Sequence, residues 1–163
     1  MPNHCSNKLS VQGPEEDVIR WVGDHYKLDN YSKKMKFTFG GSVPMPEELH
    51  GTTSPVRIEG DSANTTAEEA EQLRSKYGFA CWYEWSVANW GTKWDAYDGE
   101  DHDSGSGWRE IWYTTAWCPP EAWLHTMASQ YPTLSFDNTY QIEGEEPRIY
   151  IEATEKGTKE DVD

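Results

Sequence analysis

Residues 92–142 read TKWDAYDGEDHDSGSGWREIWYTTAWCPPEAWLHTMASQYPTLSFDNTYQI, and the order of elements in this stretch decides the fold. TKWDAY and EIWYTTAWC read as strands, joined by DGEDHDSGSG, whose charge run and Gly/Ser tip mark an exposed hairpin loop. In the second strand Ile111, Tyr113, Thr115 and Trp117 share one face, and Trp112, Thr114 and Ala116 share the other. PPEAWLHTMASQY opens with proline and glutamate and places Leu124, Met127 and Tyr131 at helical spacing. Leu134, Phe136, Tyr140 and Ile142 then alternate as a strand. The unit is strand, strand, helix, strand.

Upstream, NKLSVQG alternates at Leu9 and Val11 as a first strand, ended by Gly13-Pro14. PEEDVIRWVGDHY has proline and three acids in its first turn, with Val18, Trp21, Val22 and His25 along one face of a helix. A polar loop leads to MKFTFGGSVPMP, a strand broken at Gly40-Gly41, and residues 50–66 form a polar surface excursion. Thr66 to Tyr77 is a polar helix with Ala70, Leu73 and Tyr77 on its apolar side, capped by Gly78. CWYEWSVANW is a helix with two aromatic faces, stopped by Gly91. Downstream, EGEEP turns into RIYIEAT, a closing strand. The order indicates an α+β sandwich, a largely antiparallel sheet covered by helices on one face, and the split β-α-β unit of ferredoxin-like folds fits it. Residues 1–154 are expected to form a single α+β domain, with room for two related halves. The polar tail 155–163 is expected to be disordered.

Composition narrows the function. The 163-residue chain holds nine Trp and nine Tyr against four Phe, which suits half-buried and interfacial positions. Strand alternation cannot hide every indole among Trp108, Trp112, Trp117 and Trp123, so some rings are expected to be exposed beside charge. Net charge is −15, from 29 acids and 14 bases, which disfavours nucleic acid and anionic lipid as partners. No apolar run approaches the length of a membrane span, and the first residues lack the pattern of a secretory signal. Cys5, Cys81 and Cys118 lie far apart without a CxxC pair, as expected of reduced thiols in a cytoplasm.

MPNHCSNKLSVQG, PMPEEL, NWGTKWDAY and TAWCPPEAWL…YPTLSF occur in this order along nearly the whole chain. Together they resemble the YubB-like family of small phage and plasmid proteins, which carry a ferredoxin-like domain. The chain departs from that pattern at His4 and in its EGEEPRIYIEATEKG ending. The resemblance implies a fold and a mobile-element setting. It implies no reaction and no catalytic residue.

Two constellations stand out. In NWGTKWD, the residues Asn89, Trp90, Lys93, Trp94 and Asp95 are a candidate binding site, in which a ring stacks a planar ligand and Lys93 meets a phosphate. The same block also reads as a helix end packed on the sheet, with the Lys93 stem lying over indole. Asp98, Glu100, Asp101 and Asp103 form a candidate acidic loop for a basic partner, and they lack the register of a calcium-binding loop. No nucleophile–base spacing, metal motif or phosphate loop occurs, so no catalytic residue, metal site or cofactor is expected.

The leading expectation is a non-enzymatic interaction protein of a phage or other mobile element, acting in the host cytoplasm. It would bind and inhibit a host protein with a basic, nucleic-acid-binding surface, as an anti-CRISPR-type DNA mimic does. The alternative is a small-molecule or nucleotide-sequestering protein using NWGTKWD. A weaker one is a metal-dependent hydrolase.

Overall fold

The structure, a computed structural model, describes residues 3–61 and 63–145 with their side chains and, as backbone, residues 149–154 and 157–162. The chain runs β1 (His4–Gln12), α1 (Glu15–His25), a hairpin of β2 (Tyr26–Asp29) and β3 (Lys34–Phe37), and a 3-10 turn (Phe39–Gly41). Three helices follow: α2 (Glu47–His50), α3 (Ala67–Tyr77) and α4 (Trp82–Asn89). Then come β4 (Tyr97–Gly105), β5 (Trp108–Ala116), α5 (Glu121–Gln130), β6 (Ser135–Ile142), β7 (Ile149–Thr154) and β8 (Gly157–Val162).

One six-stranded sheet has the order β4-β5-β1-β6-β7-β8, and every neighbouring pair is antiparallel. Its first four strands interleave two β-α-β units: β5 lies between β1 and β4, and β1 lies between β5 and β6. This is the split β-α-β topology that the sequence order indicated. The insertion from β2 to α4 sits between α1 and β4, and β7–β8 extends the sheet beyond β6.

Period-2 alternation sets which face is buried. Leu9 and Val11 of β1, Ile111 and Tyr113 of β5, and Phe136 and Tyr140 of β6 are buried, with Leu9 opposite both Ile111 and Asn138. The covering layer brings Val18 and Trp21 from α1, Trp123, Leu124 and Met127 from α5, and Phe37 and Phe39 from the insertion. The other face, with Lys8 and Trp112, stays open. Gly41 lets the 3-10 turn close on the end of α1, since a Cβ there would fall 1.8 Å from the Asp24 carbonyl oxygen.

The core holds polar groups that are paired internally, as buried groups must be. Tyr113 donates to Asn138 Oδ1 (2.6 Å), Asn138 to Asn7 Oδ1 (3.0 Å), and Asn7 to Thr115 Oγ1 (3.0 Å). His25 is fully buried and stacked on Trp21 at 4.6 Å between centroids. Its Nδ1–H donates to the Trp21 carbonyl (2.7 Å), so Nε2 is the acceptor for the Ser42 hydroxyl (2.6 Å). Burial lowers its pKa to about 4.

The structure departs from the sequence expectations in four places. The loop after α1 is the β2–β3 hairpin, whose Leu28 and Met35 are exposed and so leave no alternation to read. TKWDAY is an irregular segment, and the acidic run read as a hairpin loop is strand β4 itself. Edge strands tolerate charges and bulges because one side faces water, and β4 has register shifts between Tyr97 and Glu100 and between Asp101 and Asp103. Within the segment read as a disordered tail, Gly157–Val162 pairs with β7 from Thr154 to Ile149. Backbone pairing needs no apolar alternation, so its polar side chains gave no sign of a strand. Trp117 leaves the face it was assigned, because the strand ends at Ala116.

The His25 geometry predicts a pH dependence. The unfolded imidazole titrates near 6.5 and the folded one near 4, so between those values the unfolded chain binds more protons and stability falls as pH falls. From pH 6.5 to 5 the wild type should lose about 1.5 kcal/mol through this residue, and His25→Gln should lack that slope in urea titrations. Equal slopes would contradict the assignment.

Candidate functional site

Helix α4 ends where Gly91 turns to φ +85°. A Cβ at Gly91 would lie 3.1 Å from Ala122 N and 3.2 Å from Glu121 N, so the backbone is pressed against the start of α5. There the Trp90 carbonyl accepts from Trp123 N (3.3 Å). Hydroxyl groups then hold the next residues: Ser86 Oγ donates to the Lys93 carbonyl (2.6 Å) and Thr92 Oγ1 to that of Trp94 (2.7 Å). Asp95 completes the clamp. Its Oδ1 accepts from Phe39 N and Ala96 N (2.7 Å each), and its Oδ2 accepts from the Thr38 hydroxyl. Burial raises the Asp95 pKa, and these donors oppose the rise.

The clamp separates the five expected site residues. Asn89 Nδ2 donates back one turn to the Trp85 carbonyl (2.9 Å). Trp90 is buried, edge-on to Trp85 at 5.1 Å, with its indole N–H on the Val43 carbonyl (2.9 Å). Asp95 holds the β3 end to the start of β4. Only Lys93 and Trp94 turn outward, so the five do not converge on one ligand position.

What they meet outside is Trp117. The Lys93 ammonium stands 4.9 Å from the Trp94 ring centroid and 5.0 Å from that of Trp117. Each indole is 38 % exposed. Tyr83 lies edge-on to Trp117 at 6.0 Å, and Trp82 edge-on to Tyr83 at 5.8 Å. This aromatic surface is built from α4, the clamped loop and the end of β5.

Trp117 holds φ at +72°, an outlier for a bulky residue. Cys118 N donates to the Ala116 carbonyl (2.9 Å), which makes the segment a γ-turn of the strained hand. The turn is fixed from several sides. Trp117 N donates to the Asn3 carbonyl (2.8 Å), Thr115 Oγ1 to the Cys118 carbonyl (2.7 Å), and Cys118 Sγ to the Gly91 carbonyl (3.0 Å). Alternation alone placed Trp117 on the face of Ile111, Tyr113 and Thr115; the sequence signal against this was the following Cys-Pro-Pro, which ends the strand.

The acidic residues are set along edge strand β4. Asp98, Glu100 and Asp103 are exposed, and Asp98 adopts φ +52°. Asp101 differs, because Arg109 grips both its carboxylate oxygens, through Nε at 2.7 Å and through Nη2. On the open sheet face His102 stacks on Trp112 at 4.1 Å, and the Trp112 indole donates to Glu110 (3.1 Å).

A groove of about 750 Å³ runs beside the clamp, lined in part by Asn89, Gly91, Cys118, Glu121 and His125. The Cys118 thiol is hydrogen-bonded to a carbonyl, and burial together with Glu121 raises its pKa, opposite to what an activated nucleophile requires. Among the described residues no group of three or more His, Cys, Asp or Glu is placed to hold a metal ion, and no helix is long and apolar enough to cross a membrane. Cys5 is a buried thiol, pushed up to about 12 by burial.

Asp95→Ala should destabilise the protein by about 2–4 kcal/mol in denaturant titrations, because three donors lose their acceptor. A loss below about 1 kcal/mol would show that the carboxylate is no clamp.

Comparison with known proteins agrees with the topology. The family model described as a ferredoxin-like domain in Api92-like protein matches residues 90–158, from the end of α4 into β8. The chain is similar to the crystal structure of a protein, api92, from Yersinia pseudotuberculosis, at TM-score 0.57 and 10 % identity, covering 100 % of this chain and 99 % of that one. No curated protein matches. At that identity the likeness establishes the fold alone: the chain has a ferredoxin-like α+β architecture.

Proposed function

We propose that the protein is a non-enzymatic interaction protein that binds and inhibits a host protein through its acidic, Trp-bearing face. The observation that supports this best is the placement of Asp98, Glu100 and Asp103, all exposed, along an edge strand of a chain with net charge −15. Edge-strand acids in a field of one sign steer basic surfaces toward them and repel phosphates. The Asp101–Arg109 pair is an intramolecular instance of the contact such a partner would make.

Under this reading the partner presents lysines and arginines that otherwise hold nucleic acid, and the bound protein blocks them. The setting is the one implied by the YubB-like resemblance, a phage or other mobile element acting in the host cytoplasm. An inhibitor of a host defence complex, of the anti-CRISPR type, combines that setting with the charge. A small-molecule binder is the second reading, favoured by the groove beside Asn89 and Gly91. Of the two rings first assigned to it, Trp90 is buried and Trp94 stays exposed.

Affinity capture from bacterial lysate at low and high salt tests the proposal, using wild type and the triple variant D98N/E100Q/D103N. A nucleic-acid-handling protein retained at low salt, released at high salt and not retained by the variant is the expected result. Retention that ignores both salt and the three neutralised acids would overturn it. Stabilisation by a nucleotide panel, about 2.7 kcal/mol at a hundredfold excess over Kd, would favour the second reading.

A further inference from the structure

One cation already stands against both Trp94 and Trp117. Lys93 Nζ sits 4.9 and 5.0 Å from the two ring centroids, within the range over which a cation is attracted by the face of an indole. Both walls are more than one-third exposed. Neither wall is free to drift. Ser86 holds the Lys93 carbonyl and Thr92 that of Trp94, and Trp117 sits on a γ-turn fixed by four hydrogen bonds. A bulky residue kept at φ +72° with its ring more than one-third exposed is strained, and such strain accumulates where a side chain must be presented.

The occupant is less fixed than the walls. Lys93 reaches the rings on a flexible four-carbon stem, and among the described residues no ion pair holds its ammonium. It is also strongly hydrated, so it loses much when it is enclosed. A guanidinium group is planar, less hydrated and stacks on aromatic faces, so it can replace a tethered ammonium between two indoles. The surrounding net charge of −15 raises the local concentration of any such cation.

We propose that Trp94 and Trp117 form a two-walled cage for an arginine side chain of the partner protein, with Lys93 as its resident, displaceable cation. This rests on the interaction reading above and names one of its contacts. Lys93 then acts as an internal competitor. It shields the rings in the free protein and swings out when an arginine enters.

The test uses the intact protein with ¹⁵N-labelled tryptophan, blocked arginine (N-acetyl-arginine methylamide) as probe, blocked citrulline as its neutral counterpart and blocked lysine for comparison. Wild type, Lys93→Ala and Trp117→Gly are titrated while the indole N–H resonances are followed. Glycine suits the positive φ, which offsets part of the packing that Trp117→Gly removes.

Blocked arginine should shift the Trp94 and Trp117 indole signals and bind at least threefold more tightly to Lys93→Ala. Trp117→Gly should lose the Trp94 shift, blocked lysine should bind more weakly, and citrulline should not bind. Equal binding of citrulline, shifts confined to other indoles, or unchanged affinity in Lys93→Ala would each overturn the cage. Should Trp117→Gly unfold, Trp94→Ala replaces it with the same expectation at Trp117. Failure here with salt-sensitive capture intact removes the cage alone. A working cage with no capture by the β4 acids removes the acidic-edge reading alone.

Discussion

Trp21, Phe39 and Trp123 meet at the centre of the molecule, with Phe39 4.5 Å and Trp21 6.4 Å from Trp123 between ring centroids. Each comes from a different element: α1, the 3-10 turn of the insertion, and α5. Their contact with the buried face of β1, β5 and β6 is what joins the ferredoxin-like frame to its insertion. Burying rings of this size stabilises by about 4–6 kcal/mol each, at roughly 25 cal/mol per Å². That exceeds the cost, about 1–3 kcal/mol, of leaving the indole N–H groups of Trp21 and Trp123 without an acceptor. Aromatic volume here adds to an aliphatic core supplied by Leu9, Val11, Ile111, Leu124 and their neighbours.

Two consequences run from this core to the surface. Because Phe39 must reach Trp123, the segment before it needs an anchor, and the Asp95 carboxylate supplies one by accepting from Phe39 N and the Thr38 hydroxyl. The same clamp fixes the backbone around Lys93 and Trp94, so core packing and surface presentation share one element. The core takes four of the nine indoles, and Trp94, Trp112 and Trp117 remain exposed. Two of these three share the Lys93 ammonium. The fold thus leaves two exposed rings on backbone that hydrogen bonds hold in place.

Much of this was legible in the residues. Leu9 and Val11, Ile111 and Tyr113, and the Leu124/Met127 spacing gave β1, β5 and α5 correctly, and the strand–helix order gave the covered sheet. The surplus of indoles foretold exposed rings. What alternation could not show was β4, whose pairing rests on the backbone of an edge strand that happens to be acidic. Nor could spacing show that Trp90 turns inward while Trp94 turns outward, because Gly91 and Asp95 decide this through contacts with α5 and the 3-10 turn. Trp117 was hidden for a related reason: its ring is set by a γ-turn held from Asn3 and Gly91, both remote in sequence. The site is therefore tertiary in origin, although its residue types are visible in the chain.

Amide hydrogen exchange on the protein, free and bound to the partner retained at low salt, tests the central claim most directly. The account predicts slowed exchange along β4, across residues 91–96 and at the turn around Trp117, with α1 unchanged. Protection confined to the groove beside α5 would contradict it, and would move the binding surface away from the acidic edge and the two indoles.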